Sequence, residues 1–281
     1  MGLATSRRGF VLGAGALALA PGAGAVAETA GEDIRLGVAT YSLRYFRRDL
    51  AIRMIQQLKI SYVNVKEFHL PYNDTAQELA EGRRRFTEAG LKIVAGGVIA
   101  LQKDDDDDIR RYFEYAKNCG FPIMAIAPSV KTMPRIERFV KQYDIKVAIH
   151  NHGPKDPHFP TPESALRVVK EMDPRCGLCI DVGHTIPNPG VDVVESIRAA
   201  GPRLLDMHIK DIPAASREDE AVPVGEGVAP IAAIFRQLKA MHYSGAVSLE
   251  YEGQPDNPMP GMIASFAYMR GVLAGMKGPS A

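Results

Sequence analysis

The chain has 281 residues and a formal net charge of +1, with 46% hydrophobic and 24% charged residues. That is the make-up of a globular protein with ample core material, and it offers no broad basic face to gather phosphates. Nucleic acid is therefore not an expected partner. The elements begin with Ser6-Arg7-Arg8-Gly9-Phe10-Val11-Leu12, a twin-arginine pattern, followed by a Gly/Ala-rich apolar run to Ala20 and a small-residue cleavage pattern at Ala25-Val26-Ala27. The run is shorter than the roughly 20 strongly apolar residues of a spanning helix. Residues 1–27 are read as a twin-arginine signal peptide. The mature chain, 28–281, is expected to be periplasmic or otherwise exported, with no membrane span.

Eight short apolar or β-branched runs follow, at Arg35–Ser42, Ser61–Glu67, Leu91–Ile99, Pro122–Ala127, Lys146–Asn151, Gly177–Val182, Leu204–Lys210 and Ala246–Glu250. Helical periodicity fills the gaps, as in Ala51–Leu58, with Ile52, Ile55 and Leu58 on one face, and in Ile231–Leu238. Gly90 and Gly120 stand where a left-handed residue ends a helix. Unbroken strand–helix alternation implies parallel pairing. Eight units in about 250 residues predict an α/β fold, a single (β/α)8 TIM barrel preceded by a signal peptide. An open doubly wound sheet is the alternative, but no GxGxxG follows the first strand.

Several polar features read as structural. Cys119, Cys176 and Cys179 are an odd number of cysteines. In a strand, Cys176 and Cys179 face opposite sides roughly 10 Å apart, too far for a disulfide, so buried small residues is the better reading. Asp104–Asp108 precedes the helix Ile109–Lys117, where acids favour the positive helix terminus. Gly225-Glu226-Gly227 reads as a turn into the next helix, and the scattered methionines as core filler.

The C-terminal ends of barrel strands are where an active site forms. Strand two runs into Lys66-Glu67-Phe68-His69 and strand five ends His150-Asn151-His152. Strand six ends Asp181-Val182-Gly183-His184, strand seven His208-Ile209-Lys210-Asp211 and strand eight Glu250-Tyr251-Glu252. Four consecutive strands thus deliver a metal-competent side chain to one rim. Period-two alternation narrows the choice, since His150 and His152 share one face, as do His208 and Lys210, and Glu250 and Glu252. The ligand set read for a divalent metal is His150, Asp181, His208 and Glu250, and such a mixed N/O set suits Mn, Zn, Co or Fe alike. His184, three residues past Asp181, is a candidate for a group behind the ligands or one that meets substrate.

These rim motifs resemble the xylose-isomerase-like barrel superfamily of sugar (phosphate) isomerases and epimerases, with its AP-endonuclease family 2 branch. The resemblance rests on His150-Asn151-His152-Gly153-Pro154, Cys179-Ile180-Asp181-Val182-Gly183-His184, His208-Ile209-Lys210-Asp211, residues 225–228, and Tyr243-Ser244-Gly245 leading to Leu249-Glu250-Tyr251-Glu252. It spans residues 34–276. It implies a metal held by Glu, Asp, His and Glu from strands five to eight, with the two glutamates moving a proton across an enediolate. This chain departs at the first position, His150, and carries Asn64 where many members have Glu.

The expected function is that of a metal-dependent carbohydrate isomerase or epimerase acting on an unphosphorylated sugar. The proton-handling candidates are Glu250, His150, His184 and Lys66, and the substrate-binding candidates His69, His152, Lys210 and Glu252. A 3-keto-glycoside lyase would use the same α-proton abstraction. A non-catalytic sugar-binding barrel is a third reading, and a nuclease of abasic DNA is the least favoured. The expected partner is a small carbohydrate, and a homo-oligomer is consistent with similar proteins.

Overall fold

The structure is a computed structural model that describes residue 1 and residues 34–216 and 220–276. Eight parallel strands close into a barrel in sequence order. They are β1 (Arg35–Ala39), β2 (Tyr62–Val65), β3 (Lys92–Leu101), β4 (Ile123–Pro128), β5 (Lys146–His150), β6 (Cys176–Asp181), β7 (Leu204–Ile209) and β8 (Ala246–Leu249). Each strand is followed by a helix on the outside, from Arg48–Gln57 after β1 to Met259–Gly275 after β8. The expected signal peptide, 1–27, lies outside the described residues. Among those that are described, no helix is long and apolar enough to cross a membrane.

The strands form because their runs are buried on both faces, as a barrel enclosed by helices requires. Two apolar shells result. The larger lies between strands and helices, with Phe86, Phe113, Phe235 and Phe266 fully buried among Ile and Leu side chains. The smaller contains Ala125, Ala148 and Cys179. Alternation places Ala148 on the inner face with His150, and Cys179 with Asp181. Small side chains below leave the barrel's mouth open for the polar ones above.

β3 and β4 run on to Leu101 and Pro128, past the expected Ile99 and Ala127, while the other strands end earlier than their apolar runs suggested, and for β1 and β2 the cause is local. After β1 the backbone enters a 3-10 turn, Thr40–Leu43. Ser42 Oγ donates there to Leu249 O at 3.2 Å and accepts from Tyr251 N at 2.8 Å, stitching the seam between β1 and β8. The amide of Lys66 donates to Thr40 Oγ1 at 2.8 Å, so β2 stops at Val65. Side chains at the mouth take over the backbone groups that the ladder releases.

The structural readings of the other polar runs hold. Asp105 caps the helix Asp106–Cys119 by accepting from Asp108 N at 2.9 Å, and Asp104 and Asp106 pair with Arg135. Gly90 and Gly120 have φ of 77° and 71°. The three cysteines are buried and unbridged.

Candidate metal centre

At the mouth of the barrel the register sets neighbours side by side. His150 pairs with Cys179 across β5 and β6, Asp181 with His208 across β6 and β7, and His208 with Ser248 across β7 and β8. One ligand atom from each of His150, Asp181, His208 and Glu250 falls within 4.8 Å of all the others, and all four residues are buried. His150 Nε2 lies 3.1 Å from His208 Nδ1 and 3.5 Å from Asp181 Oδ2, while His208 Nδ1 is 3.4 Å from Glu250 Oε2.

Asp181 shows how one carboxylate serves two ends. Its Oδ1 accepts from His184 N at 2.8 Å, capping the short helical turn Val182–Thr185 and thereby placing His184. Its Oδ2 is buried without a hydrogen-bond partner, 3.5 Å from His150 Nε2. A buried carboxylate oxygen left bare costs free energy unless something positive meets it. Two imidazole nitrogens 3.1 Å apart and a carboxylate oxygen without a hydrogen bond form a donor set that fits a divalent cation once the proton between the rings is released.

Lys210 is the cation already present. Its Nζ lies 3.6 Å from Asp181 Oδ2, 3.5 Å from Glu250 Oε2 and 3.3 Å from His184 Nε2, and it donates to Glu252 Oε1. The side chain is 4% exposed. Its stem runs over Gly183, where a Cβ would stand 2.7 Å from Lys210 Cδ, so a side chain at 183 would collide with it. Burial alone would lower its pKa, but the three carboxylates reverse that and raise it.

The same field orders the other groups. Burial pushes the Glu250 carboxyl up, but His208 and Lys210 outweigh it and hold the pKa well below the usual range. Burial likewise opposes the charge on Asp181, and Lys210 with His184 and His150 keeps its pKa low. His208 is opposed by burial yet raised to about 9 by Glu250, Asp206 and Asp181. His150 goes the other way, its pKa pushed well below the ordinary value by burial and by His152. The cluster therefore holds a neutral His150, ionised carboxylates and a His208 that keeps its proton at neutral pH, a proton that a metal taking His208 as ligand would displace.

Three residues behind the ligands draw no functional role from the sequence pattern. Asn64 Nδ2 lies 3.0 Å from both Asp206 Oδ2 and His208 Nε2, and Cys179 Sγ reaches Asp206 at 3.7 Å. They fix the ring of His208 from behind, as partners of ligating histidines do. Asp206 and Cys179 lie two residues before His208 and Asp181, so the period that found the ligands also pointed to them. Asp211 was legible only as part of a motif. Its buried carboxylate accepts from Gly225 N at 2.9 Å, Gly227 N at 3.1 Å and Ala229 N at 2.9 Å, folding the loop after β7 onto the rim beside Lys210.

The remaining sequence candidates are spread around this centre. His152 stacks beside His150 with ring centroids 4.4 Å apart, its Nδ1 at 3.1 Å from His150 O and 3.4 Å from Asp156. Burial and His184 lower its pKa. Glu252 joins through Lys210. Lys66 stands aside, its Nζ donating to Val98 O at 2.6 Å and 3.4 Å from Glu67. His69, expected to bind substrate, does not reach the cluster. It is fully buried, with Nε2 3.1 Å from Phe46 O, because the chain turns after β2 and His69 N bonds back to Lys66 O at 2.9 Å.

Burial also lowers the pKa of His69 to about 4 from 6.5. Above pH 6.5 the ring is neutral in folded and unfolded chains alike. As pH falls from 6.5 towards 4 only the unfolded chain takes the proton, so stability declines, by on the order of 3 kcal/mol once both forms are protonated. His69→Gln keeps a donor towards Phe46 O and removes the titration. Urea midpoints at pH 7 and pH 5 are expected to fall further for the native chain than for the variant. Identical pH dependence would place the titrating group elsewhere.

Residues 52–272 match the sequence profile described as the xylose isomerase-like TIM barrel, AP_endonuc_2. The chain belongs to that family. It is 31% identical over 210 residues to the uncharacterised protein MJ1311 of Methanocaldococcus jannaschii, covering 71% of this chain and 68% of that one. It is 28% identical over 145 residues to the inosose dehydratase of Lactiplantibacillus plantarum, covering 45% of this chain and about half, 47%, of the dehydratase. Among solved structures, the zinc-bound IOLI protein superposes with a TM-score of 0.72 at 19% identity, covering 86% of this chain and 99% of that one. D-psicose 3-epimerase of Clostridium cellulolyticum H10, solved with D-tagatose, gives 0.69 at 13% identity, covering 85% and 99%. These two likenesses are of fold.

Proposed function

We propose that this protein is a metal-dependent carbohydrate isomerase or epimerase that acts on an unphosphorylated sugar through an enediolate. The observation that carries the reading is the convergence of His150 Nε2, His208 Nδ1, Asp181 Oδ2 and Glu250 Oε2 in one buried cluster at the strand ends. A divalent metal held by those four side chains would supply Lewis-acid stabilisation of the charge that grows on a substrate oxygen. Supporting the reading, proteins of the same fold include one named as an epimerase and one solved with zinc, and a sequence relative is named as a dehydratase.

The chain's own residues do the rest. Glu250, kept ionised by His208 and Lys210, takes the proton from the carbon next to the carbonyl. Lys210 sits between Glu250, Glu252 and His184, where an ammonium stabilises an oxyanion or gives it a proton. His152 and His184, with ring centroids 5.8 Å apart beside the cluster, are the groups placed to handle a proton on the other side of the substrate.

Elimination is the second reading, and His150 favours it. Epimerisation needs a base on each face, and this chain has an imidazole where sugar epimerases of this kind have the first glutamate. Loss of a β-substituent from a 3-keto-glycoside needs one base and an acid at the leaving group, and the neighbouring dehydratase name fits that chemistry. Abasic-site cleavage is disfavoured, since His69, a histidine that reading would draw on, is bound to the backbone away from the centre.

The test is incubation of metal-loaded protein with ketoses and 3-keto-glucosides in deuterated water, followed by NMR. Deuterium beside the carbonyl, lost on chelation, is the expected result, and the product separates isomer from alkene. Bound metal with no exchange in either substrate class would sink the proposal and leave a sugar-binding barrel. We further propose export through the Arg7-Arg8 signal. An Arg7→Lys, Arg8→Lys double variant should then remain in the cytoplasm.

A further inference from the structure

The rim carries aromatic surface that the metal centre does not use. Tyr45 is 64% and Phe68 45% exposed, and both follow strands that end at the mouth, Tyr45 after β1 and Phe68 after β2. A third ring, Tyr41, is half-buried beside them, its centroid 5.9 Å from that of Phe68. Singly exposed apolar side chains are normal on a protein surface and need no explanation. Here three rings share one edge of the opening, and a guanidinium joins them: Arg44 lies 4.6 Å from the Tyr41 ring and 5.3 Å from that of Tyr45.

A chain of contacts ties this surface to the reacting end. Arg44 donates to Glu252 O at 3.4 Å, Glu252 accepts from Lys210, and Lys210 Nζ lies 3.5 Å from Glu250. Burial, Glu252 and Glu250 raise the pKa of the Tyr41 hydroxyl, against Arg44 and Lys210, which lower it. Glu250, Lys210, Glu252, Arg44 and Tyr41 thus form one run of contacts, with Phe68 against Tyr41 and Tyr45 against Arg44.

The nearby cations do not make an anion seat. Arg44 directs its head at the Tyr41 and Glu252 carbonyls, and Lys66 at Val98 O and Glu67. Arg44 packs against the Tyr41 and Tyr45 rings, and the Phe68 ring, tilted 54° to Tyr41, remains exposed beside them. An aromatic ring offers such a surface two wholly apolar faces, whereas a second sugar carries hydroxyls around its rim, for which these three rings offer only the Tyr41 and Tyr45 hydroxyls.

We infer that Tyr41, Phe68 and Tyr45 form a subsite for an aromatic aglycone, and that the substrate is an aryl glycoside or its keto derivative with the sugar directed to the metal centre. This rests on the carbohydrate reading above. The probe is a pair of unreactive ligands, phenyl β-glucoside and methyl β-glucoside, with affinities for the metal-loaded protein measured by calorimetry. About tenfold tighter binding of the phenyl compound is expected, falling towards parity in Phe68→Ala/Tyr45→Ala and partway in Phe68→Leu, with circular dichroism confirming the fold of each variant.

Parity in the unmodified protein, or a preference that survives the double variant, overturns the subsite. So does cellobiose binding as tightly as phenyl glucoside, which would assign the rings to a second sugar. Concentration-dependent self-association abolished by the double variant, without any glucoside preference, would assign the surface to a second copy of the chain and also overturn it. Neither glucoside carries a carbonyl, so the measurement is independent of enolisation. Deuterium exchange into a free ketose tests the parent reading separately.

Discussion

Glu250→Gln is expected to lower turnover by about two to four orders of magnitude at saturating metal, the usual contribution of a positioned general base. The substitution keeps the shape of a side chain that is 8% exposed, so packing survives. It removes the charge that Lys210 and His208 face at 3.5 and 3.4 Å. Metal affinity should fall as well, which is why the comparison must be made with Asp181→Asn. Asp181 shares the donor set but spends its other oxygen capping the turn at His184, so it has no oxygen to spare as a base. Activity of Asp181→Asn should climb as metal is raised, whereas Glu250→Gln should stay low in kcat however much metal is added. If Glu250→Gln kept more than about a tenth of native turnover, far above a general-base loss, the base would have to be sought among His150, His152 and His184.

The parts of this site that the sequence shows are those governed by strand period. Apolar runs reveal strands buried on both faces, and each run's last inward residue is forced to the mouth. His150, Asp181, His208 and Glu250 lie at such ends, and the rule narrows the choice to them and their same-face neighbours His152, Lys210 and Glu252. His69 defeats it because it lies beyond the strand: the turn from Lys66 to His69 redirects the side chain into the protein, and no periodic pattern encodes a turn's direction. Asp211 escapes for a different reason. Its partners are backbone amides at 225, 227 and 229, brought to it by a long loop, so neither spacing nor residue type announces the contact. The aromatic edge of Tyr41, Phe68 and Tyr45 is likewise assembled from two loops and exists only once β1 and β2 are neighbours.

Lys210→Met should expose the electrostatic logic of the centre most directly. In the metal-free protein Lys210 answers Asp181, Glu250 and Glu252, the first two of them buried with it. Methionine can follow the same channel over Gly183 but leaves those carboxylates without their ammonium. Removing one partner of a buried ion pair costs about 3–5 kcal/mol, because the remaining charge is stranded in a poor solvent. The metal-free variant should therefore melt well below the native protein. A divalent cation held by His150, Asp181, His208 and Glu250 restores positive charge at the same carboxylates, so it should recover much of the loss. The rise in Tm on adding metal is expected to be larger for the variant than for the native chain, and calorimetry with and without chelator measures both. Equal melting of the two metal-free proteins would mean that Lys210 contributes little net charge stabilisation. An equal metal-induced rise in both would mean that lysine and metal answer different carboxylates, and the donor set would have to be redrawn without Asp181 or Glu250.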